Sequence, residues 1–341
     1  PQTVCLATGE DDLLAWQKYE GNPVIEAPPY DVRYETDGHF RDPYVWKEDG
    51  HWYMVIGSKI KDVGGMALLY YSRDLLHWDY LHQLMVGDVH IGDPFWTGTM
   101  WECPNFFGLA GRHVLLITVQ ATPQDHLYTV YHTGTNVSQQ FVPEAHGILV
   151  HGGYFYAPQV MHLDDGRQVL WGWIPEGRSQ RISEWAGWAG VMSLPLALSL
   201  LPDGRLAAEP VQELQALRRE HWHFEDHMLG QFEPDRPECG SSGPLGDVQG
   251  DALEILAEFE LSDDAEFGLG LRCSPDGQEQ TRIVYQAAKG QIVVEREASS
   301  VSPDTERDLR TAPVELASGK PLRLHIYLDR SVIEVFANGG R

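Results

Sequence analysis

The sequence predicts an all-β protein in two parts, a β-propeller followed by a β-sandwich. Short runs rich in Val, Ile, Tyr, Trp and Phe recur along the chain, turns of Gly, Asp, Asn and Pro separate them, and helical periodicity is scarce. At 341 residues there is room for about two domains. Short strands at near-regular spacing suit a propeller, a sandwich or a barrel.

Strand-like runs fall at 44–46, 52–56, 67–72, 113–119, 127–132 and 168–174. Between them Glu48-Asp49-Gly50, Ala110-Gly111-Arg112 and Asp164-Asp165-Gly166 read as hairpin loops. A soft repeat favours the propeller. Ser72-Arg73-Asp74-Leu75-Leu76-His77-Trp78 has a counterpart near the start in Gly9-Glu10-Asp11-Asp12-Leu13-Leu14-Ala15-Trp16, each placed as a late hairpin of one blade. The one helix-like segment runs from Pro210 to Arg219, with apolar residues at 211, 214 and 217, proline in its first turn and two arginines at its end. A polar stretch follows at 233–247, and strand-like alternation resumes at 253–261, 267–273, 281–286, 291–296 and 322–336. The first domain is therefore placed at 1–217 and the second, read as a sandwich, at 218–341.

Composition narrows the function. Hydrophobic residues make up 43% and charged residues 22%, a globular balance. No apolar run is long enough to span a membrane as a helix. Fifty acidic against 25 basic residues give a formal charge of −25. Such a surface repels phosphate backbones and anionic lipid heads, so nucleic-acid and membrane-surface partners are disfavoured and a neutral small molecule is favoured. Eleven Trp and 14 Tyr supply flat faces suited to the C–H faces of sugars. Cys5, Cys103, Cys239 and Cys273 are too scattered for a disulfide framework or a metal site; four reduced thiols in a cytoplasmic protein is the expectation, with a Cys239–Cys273 bridge and a secreted protein as the alternatives. The sequence singles out no surface for self-association.

Two segments carry ionisable groups that a plain strand does not need. In Phe40-Arg41-Asp42-Pro43, proline favours an extended or turn backbone at Asp42, and Arg41 is placed to hold that carboxylate ionised. The alternative is a structural turn with a surface ion pair. In Met100-Trp101-Glu102-Cys103-Pro104-Asn105-Phe106-Phe107 a lone carboxylate lies among apolar neighbours, where burial favours the protonated acid. Here the alternative is a strand-end Glu with its head in water. Together Asp42 and Glu102 suggest the paired carboxylates of glycoside hydrolysis.

These segments resemble the second and third signature motifs of glycoside hydrolase family 32, which holds invertases, sucrose-6-phosphate hydrolases, levanases and inulinases. Further matches follow in the family's order: Cys5 to Thr8 with Gly21 to Ile25, Phe155-Tyr156-Ala157-Pro158-Gln159, Trp171-Gly172-Trp173, Gly187 to Pro195, and Asp329 to Gly340. The resemblance implies a five-bladed propeller, a C-terminal sandwich, and retaining hydrolysis of terminal β-fructofuranosyl groups without metal or cofactor. It implies that Glu102 is the general acid/base and Asp42 the transition-state stabiliser. Arg41 and Cys103 would flank these two, and Tyr156 and Trp173 would wall the pocket.

The departures are specific. The family's nucleophile lies in a first-blade Trp-x-Asn-Asp-Pro-Asn-Gly motif, and no such motif, nor the Phe-Ser-Gly-Ser that follows it, occurs in this sequence. Asp11, Asp12 and Asp31 lack that motif's neighbours, so no residue is assigned as nucleophile. The chain opens within what resembles the second blade and stops inside what resembles the last strands of the sandwich; truncation at both ends, with little or no turnover by this chain alone, is the expectation. Tyr154 stands where Asp commonly precedes Phe-Tyr-Ala, and Leu196 where Arg is usual. A silent fructoside-binding protein and a fructosyltransferase are the competing readings.

Overall fold

The computed structural model describes residues 2–32, 36–122, 125–227, 245–246, 248–260, 266–314, 316 and 319–340. Strands β1 (Ala7–Gly9) and β2 (Trp16–Lys18) form a first hairpin. Strands β3 (Phe40–Glu48), β4 (His51–Ile60), β5 (Gly64–Ser72) and β6 (Trp78–Val86) then form an antiparallel meander in sequence order. A second meander follows as β7 (Met100–Leu109), β8 (Arg112–Gln120), β9 (His126–Val137) and β10 (Gln140–Ile148). Next come β11 (Tyr156–His162), β12 (Gln168–Ile174), the helix α1 (Gln180–Ala186), β13 (Val191–Met192), β14 (Leu196–Leu200) and β15 (Leu206–Pro210). Four-stranded meanders open at both edges and packed side by side are propeller blades; among the described residues no sheet closes into a barrel.

Local chemistry explains the turns. The β3–β4 and β7–β8 hairpins carry two successive residues with positive φ, Asp49 and Gly50 in one and Ala110 and Gly111 in the other, which matches the turn to the strand twist. The soft repeat is a repeated turn. Trp16 donates its indole N–H to the Leu13 carbonyl at 2.9 Å, and Trp78 does the same to Leu75 at 3.0 Å. In both copies the Asp before that leucine accepts the N–H of the residue after it, at 3.0 Å for Asp12 and 2.9 Å for Asp74.

The first blade's core gathers Val4, Phe40, Met54, Ile56, Met66, Leu68 and Tyr70. The second shares Val55, Ala67 and Leu69 of the first with its own Phe106, Leu115, Ile117, Val119 and Val130 around Trp101. Trp101 is fully buried and decides how closely the blades approach. A Cβ on Gly57 would stand 2.4 Å from its carbonyl oxygen, and one on Gly65 2.1 Å from its indole ring, so both positions require glycine.

By compactness the chain divides into two units. One holds Pro1–Val150, Tyr154–Trp173 and Leu198–Leu206; the other holds His151–Gly153, Ile174–Ala197 and Ala207–Arg341. The second contains a sandwich built of two sheets. One sheet orders β16 (Ala252–Phe259), β21 (Leu322–Asp329) and β22 (Val332–Ala337); the other runs through β17 (Glu266–Leu271), β18 (Thr281–Gln286), β19 (Gln291–Glu295) and β20 (Arg310–Pro313). Leu322, Leu324 and Ile326, at period two on β21, meet Ile283, Tyr285 and Ile292 of the other sheet in its core.

Three expectations change. The run 322–336 is two strands, broken by Arg330 at φ 51. The 210–219 segment forms only a 3₁₀ turn at Gln212–Leu217: Val211 before it is buried, but the turn itself buries no residue that would reward a longer helix. The α-helix lies instead at α1, ended by Gly187 in the left-handed region. Cys273 is disulfide-bonded, which corrects the reading of four reduced thiols; Cys239, and most of the polar stretch 233–247, lie outside the described residues. Among those described, no helix is long and apolar enough to cross a membrane.

Candidate active site

Arg41, Glu102 and Tyr156 occupy one structural position in three successive sheets. Each lies on the opening strand of its sheet and precedes a residue of positive φ (Asp42 at 61°, Cys103 at 45°, Ala157 at 47°) and then a proline. The register slips at each: between Arg41 and Tyr44, between Glu102 and Asn105, and between Tyr156 and Gln159. These are β-bulges on edge strands, where proline's missing N–H breaks no ladder and the left-handed residue re-aims the side chain before it. A non-glycine residue there costs on the order of 1–3 kcal/mol, a strain found mostly at functional sites.

The three side chains meet. Two guanidinium nitrogens of Arg41 converge on Glu102 Oε1, Nε at 2.8 Å and Nη2 at 2.7 Å. The Tyr156 hydroxyl donates to Glu102 Oε2 at 2.6 Å. Arg41 donates also to His39 Nδ1 at 2.7 Å, to Gln120 Oε1 at 3.2 Å and to Gln2 Oε1 at 3.4 Å. Because arginine only donates, His39 carries its proton on Nε2; burial, with Lys59 and Arg41 adding to it, lowers its pKa and keeps the ring neutral.

Asp42 joins through the neighbouring bulge. Its Oδ2 accepts the Cys103 N–H at 3.1 Å and lies 3.6 Å from the Cys103 thiol. Burial, reinforced by the negative charges of Asp42 and Glu102, pushes that thiol's pKa far up, so Cys103 remains a protonated donor. Burial and the bond to Glu102 likewise keep Tyr156 a phenol. Trp173 lies opposite Tyr156 across the β11–β12 pair and is partly exposed.

Hydrogen bonds link Arg41, Glu102 and Tyr156, and Asp42 with Cys103, while Trp173 is brought near only through its strand pairing with Tyr156; two contacts differ from the sequence reading. Arg41 keeps an ion pair with Asp42 at 3.9 Å, but its carboxylate hydrogen bond and its closer ion pair go to Glu102; the guanidinium is held by four acceptors that point it across the blade boundary. Glu102 is not a carboxylate among apolar groups, since both of its oxygens are hydrogen-bonded.

The supports were not legible. Thr118 donates to the Glu102 carbonyl at 2.8 Å. Buried Asn105 ties two bulges together: it donates to the Cys103 and Pro158 carbonyls, each at 2.9 Å, and accepts the Val160 N–H at 2.9 Å. His126 opens β9 with its Nε2 4.0 Å from Glu102 Oε2. The recurrence of a polar side chain, one residue and proline, in Arg-Asp-Pro, Glu-Cys-Pro and Tyr-Ala-Pro, is the signal that marks the scaffold.

Comparison with known proteins agrees with the resemblance. The sucrose-6-phosphate hydrolase of Zymomonas mobilis is 34% identical over 347 residues, covering 97% of this chain and 62% of that protein. That of Bacillus subtilis is 30% identical over 98% of this chain and 65% of its own length. A Bombyx mori family 32 beta-fructofuranosidase, in complex with sucrose, superposes with a TM-score of 0.75 at 28% identity, over 98% of this chain and 65% of that one. The chain therefore spans under two thirds of these relatives. Residues 1–210 match the Glycosyl hydrolases family 32 N-terminal domain and residues 213–341 the family's C-terminal part, so the fold is a β-propeller with a β-sandwich and the chain belongs to glycosyl hydrolases family 32.

Proposed function

We propose that the protein is a retaining β-fructofuranosidase that cleaves terminal β-fructofuranosyl groups from sucrose and related fructosides. The observation that carries this reading is the Arg41–Glu102–Tyr156 cluster, assembled from three bulges, with Asp42 next to Arg41 on the first of them and bonded to Cys103 on the second. In this reading Glu102 gives its proton to the glycosidic oxygen as the C–O bond breaks, and the departing sugar leaves as the neutral alcohol. Asp42 accepts hydrogen bonds from fructosyl hydroxyls as positive charge grows on the ring. Cys103 N–H and the thiol hold its Oδ2 in place. Arg41 and Tyr156 fix Glu102 from either side. In the second half-reaction the Glu102 carboxylate takes a proton from water. The nucleophile that retention requires is assigned to no residue of this chain.

Sucrose and fructans are the substrate class that the relatives' names support: sucrose-6-phosphate hydrolase, raffinose invertase, fructan 1-exohydrolase. The test is incubation of the intact parent protein, first-blade nucleophile motif included, with sucrose, with free glucose and fructose quantified and the first fructose anomer identified by NMR. Equimolar sugars with β-fructofuranose appearing first support the reading. Excess glucose would point to transfer, and no release from any β-fructofuranoside would refute it.

A further inference from the structure

We infer that His126 is a specificity residue on the leaving-group side of the site, hydrogen-bonding a hydroxyl of the departing sugar; this rests on the fructosidase reading above. The cluster has two sides. Arg41 occupies Glu102 Oε1, and Asp42 and Cys103 lie on the bulges beside it, which is the side of the fructosyl ring if Asp42 holds that ring's hydroxyls. On the Oε2 side stand Tyr156, His126 and Trp173. The His126 ring centroid is 4.6 Å from that of Tyr156 and 6.2 Å from that of Trp173, to which it is edge-on at 72°.

In the fructosidase reading, a glycosidic oxygen that takes the proton from Oε2, the oxygen flanked by Tyr156 and His126, brings its leaving sugar beside these rings. His126 Nε2 is 4.0 Å from Oε2, too long for a hydrogen bond, and the imidazole makes none within the described residues. Its side chain is 36% exposed, and Trp173 is 37% exposed, so both face solvent beside a carboxylate that is only 13% exposed. An unbonded imidazole next to a flat aromatic face suits a ligand with both hydroxyls and C–H faces. The leaving group it favours is a sugar rather than a simple alkyl group.

The test measures binding in the Glu102→Gln protein, where turnover is suppressed, with sucrose and with methyl β-D-fructofuranoside as probes. Adding His126→Ala raises the sucrose Kd about 5–20-fold, the loss of one hydrogen bond, and leaves methyl β-D-fructofuranoside within about twofold. His126→Gln, which keeps a donor and an acceptor, recovers sucrose binding to within about threefold. An unchanged sucrose Kd, or equal weakening of both ligands in both variants, overturns the inference, the latter making His126 a prop for Tyr156. If methyl β-D-fructofuranoside fails to bind the Glu102→Gln protein, the fructosidase reading itself falls and this inference with it. If that ligand binds and the ratio does not move, His126 alone is at fault.

Discussion

Exchange of Glu102 for glutamine separates the acid from its surroundings. The amide oxygen still accepts from Arg41 Nε and Nη2, which stand 2.8 and 2.7 Å from Oε1. The amide NH₂ then faces the Tyr156 hydroxyl, which turns from donor to acceptor over the same 2.6 Å. What weakens structurally is the hydrogen bonding of position 102 to a guanidinium that is 19% exposed, about 1–3 kcal/mol and a melting shift of several degrees. In the proposed mechanism the exchange also removes the proton that the glycosidic oxygen takes. General acid catalysis contributes roughly 10²–10⁴ in rate, about 3–5 kcal/mol of barrier at 1.36 kcal/mol per tenfold. The catalytic loss therefore exceeds the stability loss. The assay, made on the intact parent protein, compares kcat/KM for sucrose with that for an aryl β-fructofuranoside, whose leaving group departs without protonation. Glu102→Gln depresses sucrose cleavage by that factor and the aryl fructoside by about tenfold or less. Equal loss on both substrates in a variant that still melts cooperatively would refute the acid assignment.

Arg41→Lys lowers kcat/KM for sucrose about 10–100-fold, because an ammonium cannot hold Glu102, His39, Gln120 and Gln2 together as the planar fork does; loss under twofold in steady-state kinetics counts against that role. In the sandwich-bearing unit, burial raises the Glu334 pKa from 4.5 to about 7 while its carboxylate accepts the Leu194 N–H at 3.0 Å. The folded state then holds that proton more tightly than the unfolded chain, so this group's contribution to stability falls as pH rises from 4.5 to 7, by about 3 kcal/mol in all. Glu334→Gln keeps the acceptor and flattens this dependence, gaining on wild type in urea midpoints at pH 8 relative to pH 4.5. The opposite sign applies to Glu254, which Arg218, then His325 and Tyr327, hold down at about 2. Its contribution is present above pH 4.5 and is lost as pH falls toward 2. With Arg218 44% exposed, solvent screening limits this to about 1–2 kcal/mol, and Glu254→Gln removes it at pH 7 in the same midpoint assay.

The strand content was largely legible because each strand carries its own signal. β4, β5, β8 and β12 are runs of β-branched and aromatic residues that buried strands of stacked blades require, and their turns advertise themselves through Asp-Gly and Ala-Gly pairs. The helix was misplaced for a related reason. Residues 211, 214 and 217 have helical spacing, but only Val211 is buried and Leu217 is 73% exposed, so the apolar stripe does not continue against a core. α1 is short and has an exposed tryptophan, leaving little periodicity to read. Site residues could be named from their motifs, but their pairing could not. Nothing local joins Arg41 to a glutamate 61 positions away; that contact depends on how closely two blades pack, which Gly57 and Gly65 set by admitting Trp101.

The repeated bulge explains why the cluster can be both polar and ordered. A strand residue ordinarily projects across its own sheet, and three polar groups on three sheets would not converge. In each copy the left-handed residue turns the preceding side chain out of that alternation, and the proline after it ends ladder pairing without leaving an N–H unsatisfied. The strain at Asp42, Cys103 and Ala157 is offset by bonds made only in that geometry. Cys103 N–H meets Asp42, and Asn105 clasps the backbone of two bulges from a fully buried position. Two of the three left-handed positions therefore serve the site directly, since Asp42 and Cys103 bond each other while Arg41 and Glu102, immediately before them, do the same. The carboxylates Asp42 and Glu102 thus come from different sheets and from different offsets of the same bulge, so each is held by its own partners: Asp42 by Cys103, and Glu102 by Arg41 and Tyr156.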